Sequence, residues 1–419
     1  MANRLQTAPA WPSLAWRLGF LYAALFLVVG CYLPYFPVWL KSRALDADQI
    51  AILLATPLYV RIIFTPAISF AADRLGGRRP ILIALAWGSL ASFGLLWVSA
   101  GFWQMLFAVS LLAINWTTIM PLIETVAVSG IRKTGLDYGR VRLWGSLSFI
   151  AASLGAGVAI QWLGPQSVLS LLVGATVLMI AGSYLVPRDI DDRGAGAATT
   201  LRRLKLSDAF ALLRAPLFLL FVAAASLIQG SHALLYAFGS LHWRAQGFTG
   251  GTIGALWSIG VVAEVALFAV SGRVIAKTGT ARLLMLAGLA AVLRWGFLAV
   301  DPPLWATVLL QSLHAMTFGA AHLAAIHFLT RAVPEDRAAT AQGLYAAVVA
   351  GLVMGSVTIL CGPLYRMLGG EAYGVMAALA LGGAACAFLL MQRWRGEVVV
   401  ADPSHPEMAV AVRPKAARR

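Results

Sequence analysis

Four charged side chains interrupt apolar stretches that are long enough to cross a lipid bilayer. Arg61 and Glu264 lie near the middle of two such stretches, and Glu124 and Arg294 interrupt two others. An arginine at the centre of a transmembrane helix costs roughly 2.5–3.5 kcal/mol on insertion scales. Because four such residues facing lipid would cost on the order of 10 kcal/mol, we expect them to face one another or water inside a helical bundle. A polar interior in a membrane protein usually provides a path for a solute across the bilayer.

The composition is typical of an integral membrane protein. Of the 419 residues, 60% are hydrophobic and 12% are charged, and the mean hydropathy of +0.81 is far above that of soluble domains. The net charge of +15 does not indicate nucleic-acid binding, because the basic residues cluster in short segments between apolar stretches. The three cysteines have neither metal-ligand spacing nor a disulfide framework. We therefore expect no metal, no cofactor and no nucleic-acid partner.

Twelve apolar stretches, each about 20 residues long, predict an all-α protein with twelve transmembrane helices in two pseudo-symmetric six-helix bundles. The predicted spans are 18–40, 49–72, 80–100, 103–130, 142–163, 167–187, 216–242, 251–272, 281–300, 304–330, 340–367 and 371–391. The bundles would then comprise residues 18–187 and 216–391. Residues 1–17, 188–215 and 392–419 would form the N-terminal segment, the central loop and the tail.

The basic residues also predict an orientation. With both termini in the cytoplasm, most of the 32 Lys and Arg residues lie on the cytoplasmic side, which satisfies the positive-inside rule. The few on the other side are Lys41, Arg43, Arg244 and Arg366. We expect a multi-pass protein of the bacterial inner membrane whose three segments outside the bundles are all cytoplasmic.

A shift of 203 residues relates the two halves. It places Arg61 on Glu264 (264 − 61 = 203) and Arg74-Leu75-Gly76 on Lys277-Thr278-Gly279. In a parallel repeat about an axis along the membrane normal, both intramembrane charges would face the central cavity.

The segment after the second span resembles the signature loop of the major facilitator superfamily. It reads Asp73-Arg74-Leu75-Gly76-Gly77-Arg78-Arg79, with Ser69 where that family favours glycine and one extra glycine before the basic pair. We assign candidate gating roles to Arg61, Asp73, Arg74 and Arg78. The alternative is an ordinary basic loop that only sets the topology.

The segment Asp137–Ser146 resembles the junction of the fourth and fifth helices of the bacterial 3-phenylpropionate permeases and, more distantly, of lactose permease. The lactose-permease resemblance implies that Glu124 and Arg142 contact the solute and that Phe149 replaces a stacking tryptophan. The alternative from the residues themselves is a static Glu124–Arg142 ion pair that holds two helices together.

The resemblance extends into the second half. Glu264, Arg294 and His314 correspond to that family's carboxylate, arginine and histidine of helices eight, nine and ten. Thr317 stands where the sugar permease has a further carboxylate, so a copied proton path is not expected. The candidates for proton coupling are Glu124, Glu264, Arg294, His314 and His322. Structural pairing of Glu264 with Arg294 or Arg61, and neutral hydrogen-bonding histidines, are the alternatives.

Aromatic side chains near these charges could form an apolar wall for a planar ring, although aromatic residues are common in any bundle core. The predicted solute-binding residues are Tyr32, Glu124, Arg142, Trp144, Phe149, Tyr236, Trp257 and Arg294. An arginine fork can bind a carboxylate through two hydrogen bonds.

The expected function is secondary active transport. We expect proton-coupled symport of a small organic solute, above all an aromatic carboxylate such as 3-phenylpropionate, by alternating access in a monomer. A sugar or nucleoside symporter is one alternative, and a non-transporting membrane receptor or scaffold is another. No nucleophile–base pair or metal constellation indicates an enzyme.

Overall fold

The computed structural model describes residues 11–74, 77–187 and 206–399, and within these ranges the side chains of residues 11–13, 73, 131–134 and 206 are not described. Helices make up nearly all of these residues, and the described ranges contain no strand. Most of the predicted central loop (188–205) and most of the predicted tail (400–419) lie outside the described residues.

The first half of the chain supplies six spans. Its helices are α1 (Trp11–Ser42), α2 (Ala47–Arg74), α3 (Arg78–Val98), α4 (Phe102–Trp116), α5 (Ile119–Thr134), α6 (Tyr138–Leu163) and α7 (Ser167–Leu185). The fourth span combines α4 and α5 in one apolar segment, Phe102–Gly130.

The second half contains more interruptions. Its α-helices are α8 (Leu206–Arg214), α9 (Pro216–Gly230), α10 (Ala233–Ala245), α11 (Gly250–Ala269), α12 (Ser271–Thr278), α13 (Thr280–Leu298), α14 (Leu304–Ser312), α15 (Ala321–Ala332), α16 (Ala338–Tyr345), α17 (Met354–Leu368) and α18 (Ala372–Arg393). Two π-helical segments, Ala315–Ala320 and Ala346–Val353, and two 3₁₀ turns, Glu335–Arg337 and Gly369–Glu371, lie between them.

Eleven helical segments among the described residues are long and apolar enough to cross a membrane. The last of them, Glu335–Arg393, has 59 residues, about twice what one crossing needs. It reverses at the 3₁₀ turn, where Gly369 has φ 56°, a left-handed conformation that favours glycine. Counting that segment as two crossings gives twelve, so the predicted all-α, twelve-span fold is confirmed.

The three segments predicted to lie outside the bundles each contain described structure. Helix α1 begins at Trp11, inside the predicted N-terminal segment, and Pro12 stands in its first turn, where a missing N–H costs no intrahelical bond. The predicted central loop contains α8, whose Asp208 pairs with Arg337 at 3.3 Å. In the predicted tail, the backbone N–H of Val399 donates to the carbonyl of Ala332 at 2.8 Å.

The helix limits agree with the internal repeat. Helix α2 begins at Ala47 and α11 at Gly250, which again differ by 203 residues (250 − 47 = 203). The next helices, α3 and α13, begin at Arg78 and Thr280, within one residue of the same shift.

The helices pack into two compact units. The first takes in the described residues of Met1–Leu45, Ile63–Gly194 and Gly247–Ser258. Its core is apolar, with Leu18, Leu25, Leu82, Ile123 and Met179 among the buried side chains. Helix α1 is central, because it packs on both α6 and α7.

The second unit takes in the described residues of Asp46–Ile62, Ala195–Gln246 and Ile259–Arg419. Phenylalanine rings fill part of its core: Phe221 stacks on Phe328 with centroids 4.1 Å apart. Helix α18 packs on α9 and α13.

Candidate functional site

Arg294 is the most deeply buried charged side chain that the structure describes. It lies on α13 with 0% exposure, and its Cζ stands 4.6 Å from the ring centre of Trp295. Its Nη1 donates to Thr317 Oγ1 at 2.9 Å and to His314 Nδ1 at 3.3 Å, and its Nη2 donates to Gln311 Oε1. Three side chains from one neighbouring segment, 311–317, therefore hold the guanidinium.

All of these acceptors are neutral when His314 is unprotonated. The Nε of Arg294 is buried without a hydrogen-bond partner, and within the described ranges no carboxylate lies at ion-pair distance from the guanidinium. A buried charge costs several kcal/mol unless an opposite charge compensates for it. The predicted pairing of Glu264 with Arg294 is therefore not found.

His314 stands between this arginine and Glu264. Because a guanidinium can only donate hydrogen bonds, His314 Nδ1 must accept, and a neutral ring then carries its hydrogen on Nε2. That Nε2 lies 3.7 Å from Glu264 Oε2, and the two side chains are 14% and 19% exposed. The sequence-predicted trio of Glu264, Arg294 and His314 thus forms one cluster.

A π-helical segment shapes this cluster. Ala315–Ala320 follows His314 directly and contains Thr317 and Phe318. The Phe318 ring stacks between two histidines, with centroids 5.1 Å from His314 and 6.2 Å from His322, and interplanar angles of 8° in both pairs. The two predicted proton-coupling histidines are therefore joined by an apolar ring, which cannot itself pass a proton.

His232 is a buried member of the cluster to which the sequence-based prediction assigned no role. It lies where the seventh span breaks between α9 and α10, and it is 0% exposed. Its Nε2 is 3.0 Å from Thr317 Oγ1, and its ring packs edge-on against Trp295 with centroids 5.0 Å apart. The sequence signal was a lone histidine after Gly230 and Ser231 in an apolar stretch. Gln311 and Phe318 were assigned no role either.

The first unit contains a second cluster. Arg142 Nε lies 3.6 Å from Glu124 Oε1, with side chains 31% and 29% exposed. Tyr138 donates its hydroxyl to the other carboxylate oxygen at 2.6 Å, and the Cζ of Arg142 stands 4.3 Å from the ring centre of Phe26. The ion pair predicted as one alternative for Glu124 is therefore present, and Arg142 turns toward aromatic rings.

The residues of the predicted aromatic wall lie in different surroundings. Phe149 and Trp257 are buried, and Tyr236 packs at a tilt against His232 with centroids 5.8 Å apart. Tyr32 stacks on Phe36 with centroids 4.5 Å apart.

Trp144 has a different environment. It is 56% exposed and packs near Gly19 of α1, where a Cβ would come within 2.9 Å of the indole. An exposed position near the start of α6 is also typical of an interfacial tryptophan, and the solute contact of Trp144 stays a prediction.

The candidate gating residues lie on α2 and at the start of α3. Arg61 lies midway along α2, and no carboxylate in the described residues is at ion-pair distance from it, so its predicted pairing with Glu264 is not found. The Cζ of Arg74 stands 4.4 Å from the ring centre of Phe70, and Arg78 opens α3. The side chain of Asp73 lies outside the described residues.

Comparison with known proteins gives the family. A family model described as the MFS_1 like family matches residues 15–373. The chain belongs to this family. As an MFS_1-like protein it is a membrane transporter and not an enzyme, which favours transport over the receptor or scaffold alternative.

Relatives of this MFS_1-like chain cover almost its full length. It is 30% identical over 365 residues to the "Probable 3-phenylpropionic acid transporter" of Escherichia coli (strain K12), which covers 86% of this chain and 93% of that protein. It is 29% identical over 378 residues to the maltose permease of Geobacillus stearothermophilus, which covers 89% and 94%. The predicted resemblance to the phenylpropionate permeases is confirmed.

A solved structure supports the fold. The crystal structure of the nucleoside transporter NupG aligns with a TM-score of 0.78 at 17% identity, and the alignment covers 91% of this chain and all of that one. At this identity the likeness concerns the fold alone.

Proposed function

We propose that this transporter moves a small organic carboxylate together with a proton, and that Arg294 is the anchor for the carboxylate. The observation that carries the proposal is the buried Arg294 guanidinium, whose hydrogen bonds go to neutral acceptors and whose Nε has none. A carboxylate would supply the missing negative charge and accept two parallel N–H bonds from the planar fork.

The charges of the second unit also support an anion. Two of its intramembrane residues, Arg61 and Arg294, are cationic, whereas Glu264 is the single carboxylate that the prediction placed beside them. A monoanionic solute would neutralise the positive charge left over. The identity with the phenylpropionic acid transporter supports an aromatic acid in particular.

The same cluster suggests how a proton is coupled. A carboxylate that reaches Arg294 takes over the Nη1 hydrogen now directed at His314 Nδ1. The freed Nδ1 can then accept a proton, and the imidazolium so formed faces Glu264 through Nε2. Anion and proton thus bind more tightly together than separately, which is the thermodynamic requirement for symport.

Uptake into proteoliposomes tests the proposal. An inward proton gradient should drive accumulation of radiolabelled 3-phenylpropionate, whereas voltage alone should not, because a monoanion and one proton carry no net charge. Arg294→Gln should abolish this uptake and Arg294→Lys should weaken it, since an ammonium lacks the planar fork. Arg331→Gln, an exposed arginine at the end of α15, is the matched control and should retain uptake. Unchanged uptake by Arg294→Gln would refute the anchor.

A sugar or nucleoside proton symporter is the second candidate. The 29% identity to a maltose permease supports it, together with the partly exposed Glu124–Arg142 pair, which suits hydroxyl groups. A neutral solute moving with one proton carries one charge, so 100 mV would contribute about 2.3 kcal/mol and drive about 50-fold accumulation. Voltage-driven uptake of maltose or a nucleoside in the same vesicles would favour this candidate.

We also expect the protein to act as a monomer in the bacterial inner membrane, with both termini in the cytoplasm.

A further inference from the structure

A directed chain of hydrogen bonds runs from the break in the seventh span to Arg294. His232 Nδ1 lies 3.2 Å from the carbonyl oxygens of both Ile228 and Gln229. Since carbonyl oxygens only accept, Nδ1 must carry the ring hydrogen. In the neutral ring Nε2 is then an acceptor, and Thr317 Oγ1 lies 3.0 Å from it.

This arrangement fixes the direction of the Thr317 hydroxyl. A hydroxyl has one hydrogen to donate and two lone pairs with which to accept. If Thr317 donates to His232 Nε2, both lone pairs remain for Arg294 Nη1, which lies 2.9 Å from the oxygen. The carbonyls of Ile228 and Gln229 therefore determine which group donates and which accepts in each hydrogen bond from His232 through Thr317 to the Arg294 guanidinium.

We infer that His232 is a positioning residue that acts through Thr317 to hold the Arg294 guanidinium in the orientation that selects a carboxylate. The inference rests on the proposed anchoring role of Arg294. A long arginine side chain loses much rotamer freedom on binding an anion, and a guanidinium that is already fixed loses less. His232 thereby favours planar anions without touching the solute.

A second link from the same helix break supports this role. Trp295 donates its indole N–H to Ser231 Oγ at 2.8 Å, and its ring lies against the guanidinium of Arg294. All of these groups are buried, with His232, Ser231 and Trp295 at 0% exposure. The adjacent residues Ser231 and His232 therefore hold two neighbours of Arg294. His232 orients the Thr317 hydroxyl that accepts from the guanidinium, and Ser231 holds the Trp295 ring that lies against it.

Paired substitutions test the inference in full-length protein. Thr317→Val keeps the shape and removes the hydroxyl, whereas Thr317→Ser keeps it. His232→Leu removes the acceptor, whereas His232→Gln offers an amide oxygen in its place. His327→Leu is the control, because His327 is a partly buried histidine of α15 whose Nδ1 lies 3.2 Å from a backbone carbonyl of its own helix.

The readout is affinity for 3-phenylpropionate compared with its neutral analogue 3-phenylpropionamide, measured by direct binding to purified protein. Because hydrogen bonds to charged groups are stronger than those between neutral groups, Thr317→Val and His232→Leu should weaken binding of the acid about tenfold or more. Binding of the amide should change little. Thr317→Ser and His232→Gln should restore most of the affinity for the acid.

A double-mutant cycle separates this inference from the proposed function. In an Arg294→Gln background, Thr317→Val should cause no further loss, because its effect passes through the arginine. If Arg294→Gln weakens acid binding but Thr317→Val and His232→Leu behave like the control, the positioning role is refuted and the anchor stands. If Arg294→Gln leaves acid binding intact, the anchor itself is refuted. Equal losses for acid and amide would show that His232 only supports packing.

Discussion

The intramembrane carboxylates Glu124 and Glu264 have different neighbours. Both oxygens of Glu124 have partners, Arg142 at 3.6 Å and Tyr138 at 2.6 Å. Glu264 instead faces His314, whose other ring nitrogen accepts from Arg294. We propose that the His314–Glu264 pair carries the proton of the symport, because His314 contacts both Glu264 and the proposed anchor Arg294.

Matched glutamines test this assignment. A gradient of one pH unit can drive about tenfold accumulation of an anion that moves with one proton. Glu264→Gln should abolish pH-driven accumulation of 3-phenylpropionate while exchange of internal for external solute persists. Glu124→Gln should keep the accumulation and change only the half-saturation concentration. The opposite pattern in proteoliposome assays would move the coupling site to the Glu124 cluster.

The sequence indicated candidate residues by their type but did not indicate the contacts between them. Charge in an apolar stretch pointed to Arg294 and Glu264, because lipid penalises both so strongly. The sequence did not predict that Glu264 would face His314, since contacts between helices depend on the rotation of each about its axis. His232 was given no role because a lone histidine in an apolar stretch does not show which side chains it contacts.

At the scale of helices, glycines allow one unusually close contact. A Cβ at Gly157 of α6 would overlap the carbonyl oxygen of Gly250 at the start of α11, and the reverse also holds. Tyr35 of α1 reinforces the contact by donating to the carbonyls of Ser153 and Gly250, at 2.8 and 3.3 Å. Such contacts between helix backbones need residues without side chains.

Gly157→Ala should separate α6 from the start of α11. Overpacking a tight contact typically costs about 1–3 kcal/mol, so the melting temperature of the purified protein in detergent should fall. Gly155→Ala is the matched control, because a Cβ there would meet nothing within 4 Å. Equal melting temperatures for the two variants would show that the α6–α11 contact contributes little to stability.

Helix number and length followed from hydropathy, because a bilayer sets the length of each span. The break at Ser231–His232 and the two π-helical segments did not follow. Backbone irregularities within a membrane persist only where neighbouring helices satisfy the freed polar groups. Such neighbours cannot be read from the local sequence alone.

At the scale of the whole chain, charge distribution predicts the orientation, which cysteine labelling can measure. With both termini in the cytoplasm, Gln166 between α6 and α7 lies outside the cell and Glu335 before α16 lies inside; both are exposed. A membrane-impermeant maleimide should label Gln166→Cys in intact cells, and Glu335→Cys only after permeabilisation. Both variants are made in a background without Cys31, Cys361 and Cys386. Labelling in the reverse order would invert the topology.

The repeat and the composition are properties of the whole chain, and both were legible in the sequence. The shift of 203 residues reappears in the first residues of α2 and α11. The identity of the solute could not be predicted as well from the sequence. Solute selectivity depends on a few polar groups whose directions are fixed only after folding.

The wide turn at Ala315–Ala320 makes the tenth span sensitive to its residue count. A π-helical turn holds about one residue more than an α-helical turn, so deleting one residue there would restore regular winding and leave the two ends of the span in register, whereas Thr317 and Phe318 inside the turn would point in new directions. The helix would be more regular, and Arg294 would lose the Thr317 hydroxyl that the wide turn now presents to it. In this span, the number of residues between the polar side chains matters as much as their identity for which of them can contact Arg294.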